Sequence, residues 1–137
     1  MQYAMDLKQY GREEVHRMYD YKQEFSDSVD ILGQPYRIEF LAEDKDSKFE
    51  DVDGYMDNSI HLIRVAFLQP DKDSVQDLVT YAKKVMRHEI VHAYLYESGL
   101  AECSSSVDNW ATNEEMVDWI ARQFPKMKRT MEALNCL

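Results

Sequence analysis

One short arrangement in the 137-residue chain has the means to do chemistry: His88-Glu89-Ile90-Val91-His92, a match to H-E-x-x-H. Residues four apart on a helix stack on one face. The two imidazoles therefore point the same way and can share one Zn²⁺ at about 2.0–2.1 Å. Glu89 lies beside them, where its carboxylate can take a proton from a water on the metal and later pass it to a leaving amine. Two histidines on an ordinary helix surface would give the same five letters. Apolar Ile90, Val91, Ala93 and Leu95 flank the motif, however. A half-buried imidazole pair beside a carboxylate is costly unless something pairs with it, and this favours a metal.

The third ligand defines the chemistry further. The chain has four histidines, His16, His61, His88 and His92, and none follows His92. Position 95 is Leu and position 98 is Ser, so the longer pattern H-E-x-x-H-x-x-G-x-x-H is not met. A carboxylate from a later helix is then expected, and Glu97, Glu102, Asp108, Glu114, Glu115 and Asp118 are the candidates. Glu97 is on the motif helix and rotated away; Glu102 and Asp108 fall on an expected loop. Glu114 aligns at helical spacing with Val117, Asp118, Ala121 and Phe124, an apolar stripe. Glu115 aligns with the more polar Asp118, Trp119 and Arg122, and can close a capping box with Thr112. Glu114 is the preferred ligand and Glu115 the alternative. Asp118, one turn on, can accept the N–H of His88 and so set its tautomer. The competing reading of Glu114 and Asp118 is a solvated helix start, where acids suit the helix dipole.

The elements that must position these residues follow from periodicity. Residues 7–25 are rich in helix formers and read as a surface helix, with Gly11 interrupting it or marking its start. Residues 28–32 lean to strand, residues 33–35 signal a turn, and residues 35–41 alternate, with Tyr36, Ile38 and Phe40 on one side and Arg37 and Glu39 on the other. Residues 42–53 form a charged loop. Asp44, Asp46 and Asp51 or Asp53 raise the possibility of calcium, but the spacing is not that of an EF-hand, and a solvated loop is the favoured reading. Residues 54–64 read as a second hairpin with Asp57, Asn58 and Ser59 at its tip, residues 60–65 being its strongest strand. A long helix over residues 75–98 follows, with Ser74 and Asp77 resembling a capping box, Leu78, Ala82, Val85 and Met86 at helical spacing, and Gly99 as its stop. Residues 101–110 read as a loop. A last helix from Thr112 or Asn113 to Phe124 is ended or kinked by Pro125, and a further piece reaches Leu134.

Length suits one domain over residues 1–137. A net charge of −10, from 16 basic and 26 acidic residues, opposes nucleic-acid binding and favours a basic partner. No apolar run approaches the roughly 18 residues of a membrane span, and the first residues lack the apolar stretch of a signal peptide. Cys103 and Cys136 have no metal-type spacing and read as free thiols, which places the chain in the cytoplasm.

Asn113-Glu114-Glu115-Met116-Val117-Asp118 fits N-E-x-x-x-D, which follows H-E-x-x-H on a second helix in gluzincins such as thermolysin. RHEIVHAYLYESGL followed by NEEMVDWIARQFPK resembles small metallopeptidase-like proteins of bacteriophages and prophages, similar to the ImmA/IrrE-type domain. The resemblance covers about residues 28–127. It implies zinc on His88, His92 and Glu114, Glu89 as base, and Asp118 behind a ligating histidine. It implies an α+β, zincin-like minimal fold: a small twisted sheet of hairpins on the long motif helix, with further helices N- and C-terminal to it. Residues 60–64 would border the cleft and could pair with an extended peptide. Zinc-dependent hydrolysis of a protein or peptide, in a bacterial host cytoplasm if the chain is phage-encoded, is the activity implied. The chain departs from thermolysin in having no downstream histidine to stabilise an oxyanion; His61, Tyr55, Tyr94 and Tyr96 are the alternative donors, each with a competing packing role. The rivals to the hydrolase are a non-hydrolytic zinc-binding regulator of phage origin and an interaction module whose histidines are accidental.

Overall fold

A computed structural model of the chain describes residue 8 and residues 10–13, 25–70, 77–104 and 110–137. Most of the expected N-terminal helix over residues 7–25, including His16, lies outside the described residues.

Alternation in the sequence builds an α+β fold around a four-stranded sheet. Strands β1 (Ser28–Ile31) and β2 (Gln34–Ala42) form one antiparallel hairpin, and β3 (Gly54–Asp57) and β4 (Leu62–Phe67) another. The hairpins join through parallel pairing of β2 with β4, giving the order β1-β2-β4-β3. Tyr36 and Phe40 of β2, with Ile63, Val65 and Phe67 of β4, are buried on one face. The first turn uses Leu32 and Gly33, both at positive φ, and Asp30 Oδ1 accepts the Gly33 N–H at 2.9 Å. The second strand of the β3–β4 hairpin begins two residues later than its composition suggests. Ile60 is 56% exposed and His61 has φ 51°, because both belong to the turn.

The opposite sheet face is polar and tied down. Arg64 donates to Glu39 Oε2 through Nε (2.9 Å) and Nη2 (2.6 Å), and to Asp46 Oδ2 through Nη1 (2.7 Å). The Tyr55 hydroxyl donates to the same Asp46 oxygen at 2.6 Å. These bonds fasten the acidic loop, which folds as two 3-10 turns, Glu43–Lys45 and Ser47–Glu50, onto the sheet. Asp46 is thus held by an arginine and a tyrosine, and among the described residues the acids of this loop form no group of converging metal ligands.

Helix α1 (Leu78–Glu97) lies on the apolar face, packing Ala82, Val85, Met86 and Ala93 against the sheet. Residues 71–76, with Ser74, lie outside the described residues; the N-cap is Asp77 itself, whose Oδ1 accepts from Thr80 N at 3.0 Å. Gly99, at φ +83°, takes the left-handed turn that ends the helix. Where a loop is expected, a short helix α2 (Leu100–Cys103) and a 3-10 turn (Trp110–Thr112) occur, while residues 105–109 lie outside the described residues.

Helix α3 (Glu114–Ala133) packs Val117 and Ala121, both fully buried, towards α1. Its cap is Asn113, which accepts from Met116 N at 2.9 Å, and not the box of Thr112 with Glu115. Phe124 is 52% exposed, beyond the packed part of the stripe. The helix also runs unbroken through Pro125. Proline at that place removes the N–H that would bond the Ala121 carbonyl. Arg87 Nε supplies the missing donor at 2.6 Å. Cys103 and Cys136 are exposed free thiols. No helix of the described residues is long and apolar enough to cross a membrane.

Candidate metal centre

The four-residue stripe Lys84, His88, His92, Tyr96 runs along one side of α1 and lines a cavity of about 460 Å³. Strand β3 forms the facing wall with Gly54 and Met56. The start of α3 closes one side, and its capped first turn brings Glu114 over the two imidazoles. His88 Nε2 stands 3.0 Å from Glu114 Oε2, His92 Nε2 stands 3.2 Å from Glu114 Oε1, and the two Nε2 atoms are 3.1 Å apart. Among the described residues this is the group of side chains that could hold a metal ion.

The donor set fits a cation on two counts. Two donors bound to a tetrahedral ion at about 2.0–2.1 Å are separated by about 3.3 Å, close to the spacings found here. His88 Nδ1 lies 3.3 Å from Asp118 Oδ1. A proton on Nδ1 donated to that carboxylate leaves Nε2 as a bare lone pair, aimed at a second imidazole nitrogen and a carboxylate. Such electron-rich atoms repel unless a positive charge lies between them. Burial lowers the pKa of His92, and neighbouring His88 pushes the same way against the pull of Glu114.

Glu89 is the buried acid of the site, 6% exposed. Burial, then the nearby Glu114 carboxylate, pushes it up to about 7, while Lys84 pulls in the opposite direction. Asp118 is held well below the usual carboxylate range. Arg122 donates to its Oδ2 at 2.5 Å and is the largest cause; Lys84, 3.2 Å from Oδ1, and His88 add to it.

The other residues singled out from the sequence separate clearly. Glu115 is exposed and outside the cluster. Glu97 accepts a bond from the Tyr36 hydroxyl at 2.7 Å and lies 3.6 Å from His61 Nε2, so both Glu97 and His61 are occupied away from the cavity. Glu102 is exposed, and Asp108 lies outside the described residues. Tyr94 is 44% exposed and does not line the cavity. Tyr55 borders the cavity, but its register partner is Arg64 on the polar sheet face, where its hydroxyl is bonded to Asp46. Tyr96 remains as the tyrosine of that set on the cavity wall with its hydroxyl uncommitted to Asp46 or Glu97. The strand at the cleft is β3. Residues 60–64 do not border it, since β4 is paired on both sides and has no free edge for a peptide.

Several site residues escaped the reading of the sequence. Lys84 could have been found by extending the four-residue stripe back from His88, and Tyr81 by its place seven residues, about two helical turns, before that histidine; Tyr81 donates its hydroxyl to Asp53 at the start of β3. Gly54 carries no local signal at all, as its role depends on Val85 and Glu89 of a helix distant in sequence.

Compared with protein-family models, with curated proteins and with solved structures, the chain finds no match.

Proposed function

We propose that the chain is a zinc-dependent peptide hydrolase, carried by a single observation: His88, His92 and Glu114 converge within hydrogen-bond distance while Glu89 lies buried beside them. Two imidazoles and one carboxylate are a donor set suited to a catalytic zinc site. When bound, such an ion polarises a carbonyl oxygen and acidifies a water. The HEIVH and NEEMVD segments, which carry these same four residues, resemble those of gluzincins and of the ImmA/IrrE-type domain.

The chain's own residues supply the rest. Glu89 takes the proton of the attacking water and hands it to the leaving amine. Its burial keeps its proton affinity near the middle of the scale, where both steps are feasible. Asp118 holds His88 in the tautomer that presents Nε2. Tyr96 lines the cavity one turn after His92 and is the residue we assign to steady the oxygen on which negative charge develops. Among the described residues β3 is an edge strand, and it offers backbone groups along which an extended peptide can lie.

One observation favours a second reading, a zinc-binding regulator without hydrolysis. Tyr55, His61 and Tyr94 are all tied or turned elsewhere, so the oxygen-stabilising set is small. Metal analysis of the purified wild type and Glu114→Ala, with cleavage of a fluorescent casein by wild type and Glu89→Gln, separates these. The hydrolase predicts one zinc per chain, strong loss in Glu114→Ala, and cleavage abolished in Glu89→Gln with zinc retained. Zinc without cleavage would assign the regulator; no zinc would remove both.

A further inference from the structure

Lys84 is the one permanent cation on the cavity wall among the described residues. It lies one helical turn before His88, about 6 Å along the axis, with its side chain 19% exposed. Its ammonium is 3.2 Å from Asp118 Oδ1 and 5.2 Å from the centre of the Tyr81 ring. Asp118 brings one negative charge, and Arg122 already answers it through Oδ2 at 2.5 Å in an i,i+4 pair. Two cations therefore share that carboxylate, and the one that lines the cavity is Lys84, on a wall that also carries Asp53, Glu89 and Glu114. An ammonium has three donors, and Asp118 takes one of them.

We infer that the Lys84 end of the cavity binds a carboxylate of the substrate, and so selects peptides with a negative group close to the cleaved bond. This rests on the metal-dependent hydrolase reading. A peptide advances about 3.3–3.6 Å per residue, so about 6 Å from the ligating histidines reaches a carboxylate one or two residues away, on an acidic side chain or at a chain terminus. The surrounding surface is acidic, with a net charge of −10 over the chain. Lys84 is the local exception, which makes the selection one of position and not of the substrate's overall charge. A charge-assisted contact in a partly desolvated cavity changes affinity by about tenfold or more.

The test uses full-length protein loaded with cobalt(II), whose visible spectrum reports binding without any turnover. Three malonyl hydroxamates serve as probes: one on glycine with a free terminus, one on aspartate with an amidated terminus, and one on glycinamide, which is neutral. The expected result is about tenfold tighter binding of one or both acidic probes to wild type, with the preference abolished in Lys84→Met and cobalt still bound. Which acidic probe gains identifies terminus or side chain as the source. Equal binding of all three to cobalt-loaded wild type, or a preference that persists in Lys84→Met, would overturn the inference while leaving the metal centre standing. Failure of wild type to load cobalt would overturn the metal reading and this inference together. Lys84→Arg, which keeps the charge, should keep the preference; its loss there would show that packing and not charge was responsible.

Discussion

Arg87 Nε donates to the Ala121 carbonyl at 2.6 Å, and that carbonyl is the one Pro125 leaves without its helical partner. The bond joins α1 to α3 one residue before His88 and about two turns beyond Glu114. It therefore contributes to the relative placement of the two helices that supply the candidate metal-binding group. Arg87→Met should destabilise the protein by about 1–3 kcal/mol, since it orphans a half-buried acceptor. In a Pro125→Ala background the carbonyl regains an N–H and the cost of Arg87→Met should shrink. Denaturant unfolding of the four proteins in a double-mutant cycle gives the coupling; equal costs in both backgrounds would refute the pairing.

Gly54 sets how closely β3 approaches the motif helix. A Cβ there would lie 2.7 Å from Val85 Cγ1, 3.3 Å from the Arg64 carbonyl and 3.5 Å from Glu89 Cγ. Val85 is β-branched and cannot swing clear. Gly54→Ala should lower stability by about 1–3 kcal/mol through overpacking and shift the wall that faces Glu89. Thermal unfolding reports the first effect; an unchanged melting temperature would show that the strand moves freely.

Metal affinity should rank by place in the cluster. Glu114→Ala removes a carboxylate whose Oε2 stands 3.0 Å from His88 Nε2 and whose Oε1 stands 3.2 Å from His92 Nε2, and should cause the largest loss. Asp118→Ala should weaken binding by about 10–100-fold, through the orientation of His88. Glu115→Ala should leave affinity unchanged. Competition with a chromophoric chelator measures all three, and a larger effect at Glu115 than at Glu114 would relocate the third ligand.

Two of the tyrosines at the cavity, Tyr96 and Tyr55, should behave differently. Tyr96→Phe should reduce the turnover of casein by about a hundredfold with zinc retained. Tyr55→Phe should instead loosen the Asp46–Arg64 network, with its main effect on stability. Stopped assays at saturating casein beside thermal melts discriminate them.

Stability should fall in acid through Asp46. The Tyr55 hydroxyl, then Arg64 and the Lys48 backbone, hold its pKa near 2 against an ordinary 3.8, while desolvation opposes them. A depressed folded-state value means the stabilisation is complete above 3.8 and vanishes as pH drops through 2, because the unfolded chain takes up the proton first. Asp46→Asn lacks this titration, so its unfolding free energy should decline less between pH 5 and pH 2 than that of wild type. Parallel curves would exclude the mechanism.

Local spacing settles much of this protein by itself. Four-residue repetition puts His88 and His92 on one face of a helix, alternation in β2 sends Tyr36 and Phe40 inward, and Asp77, Gly99 and Asn113 mark helix ends by chemistry within three or four residues. The apolar stripe of α3 was legible too, and with it the preference for Glu114 over Glu115. What lies between elements distant in sequence was decided by packing alone. Whether Glu114 comes within 3.2 Å of imidazoles 22 and 26 residues away depends on how α3 docks on α1. An arginine that makes good a proline's missing donor is one of the ties between the two helices. The parallel pairing of β2 with β4, which moves the cleft wall to β3, is equally absent from any local pattern. So is the pairing of Tyr55 with Asp46, which removes one oxygen donor from the cavity. Periodicity reports which face of an element is apolar; which two faces meet, and at what register, is a property of the packed whole.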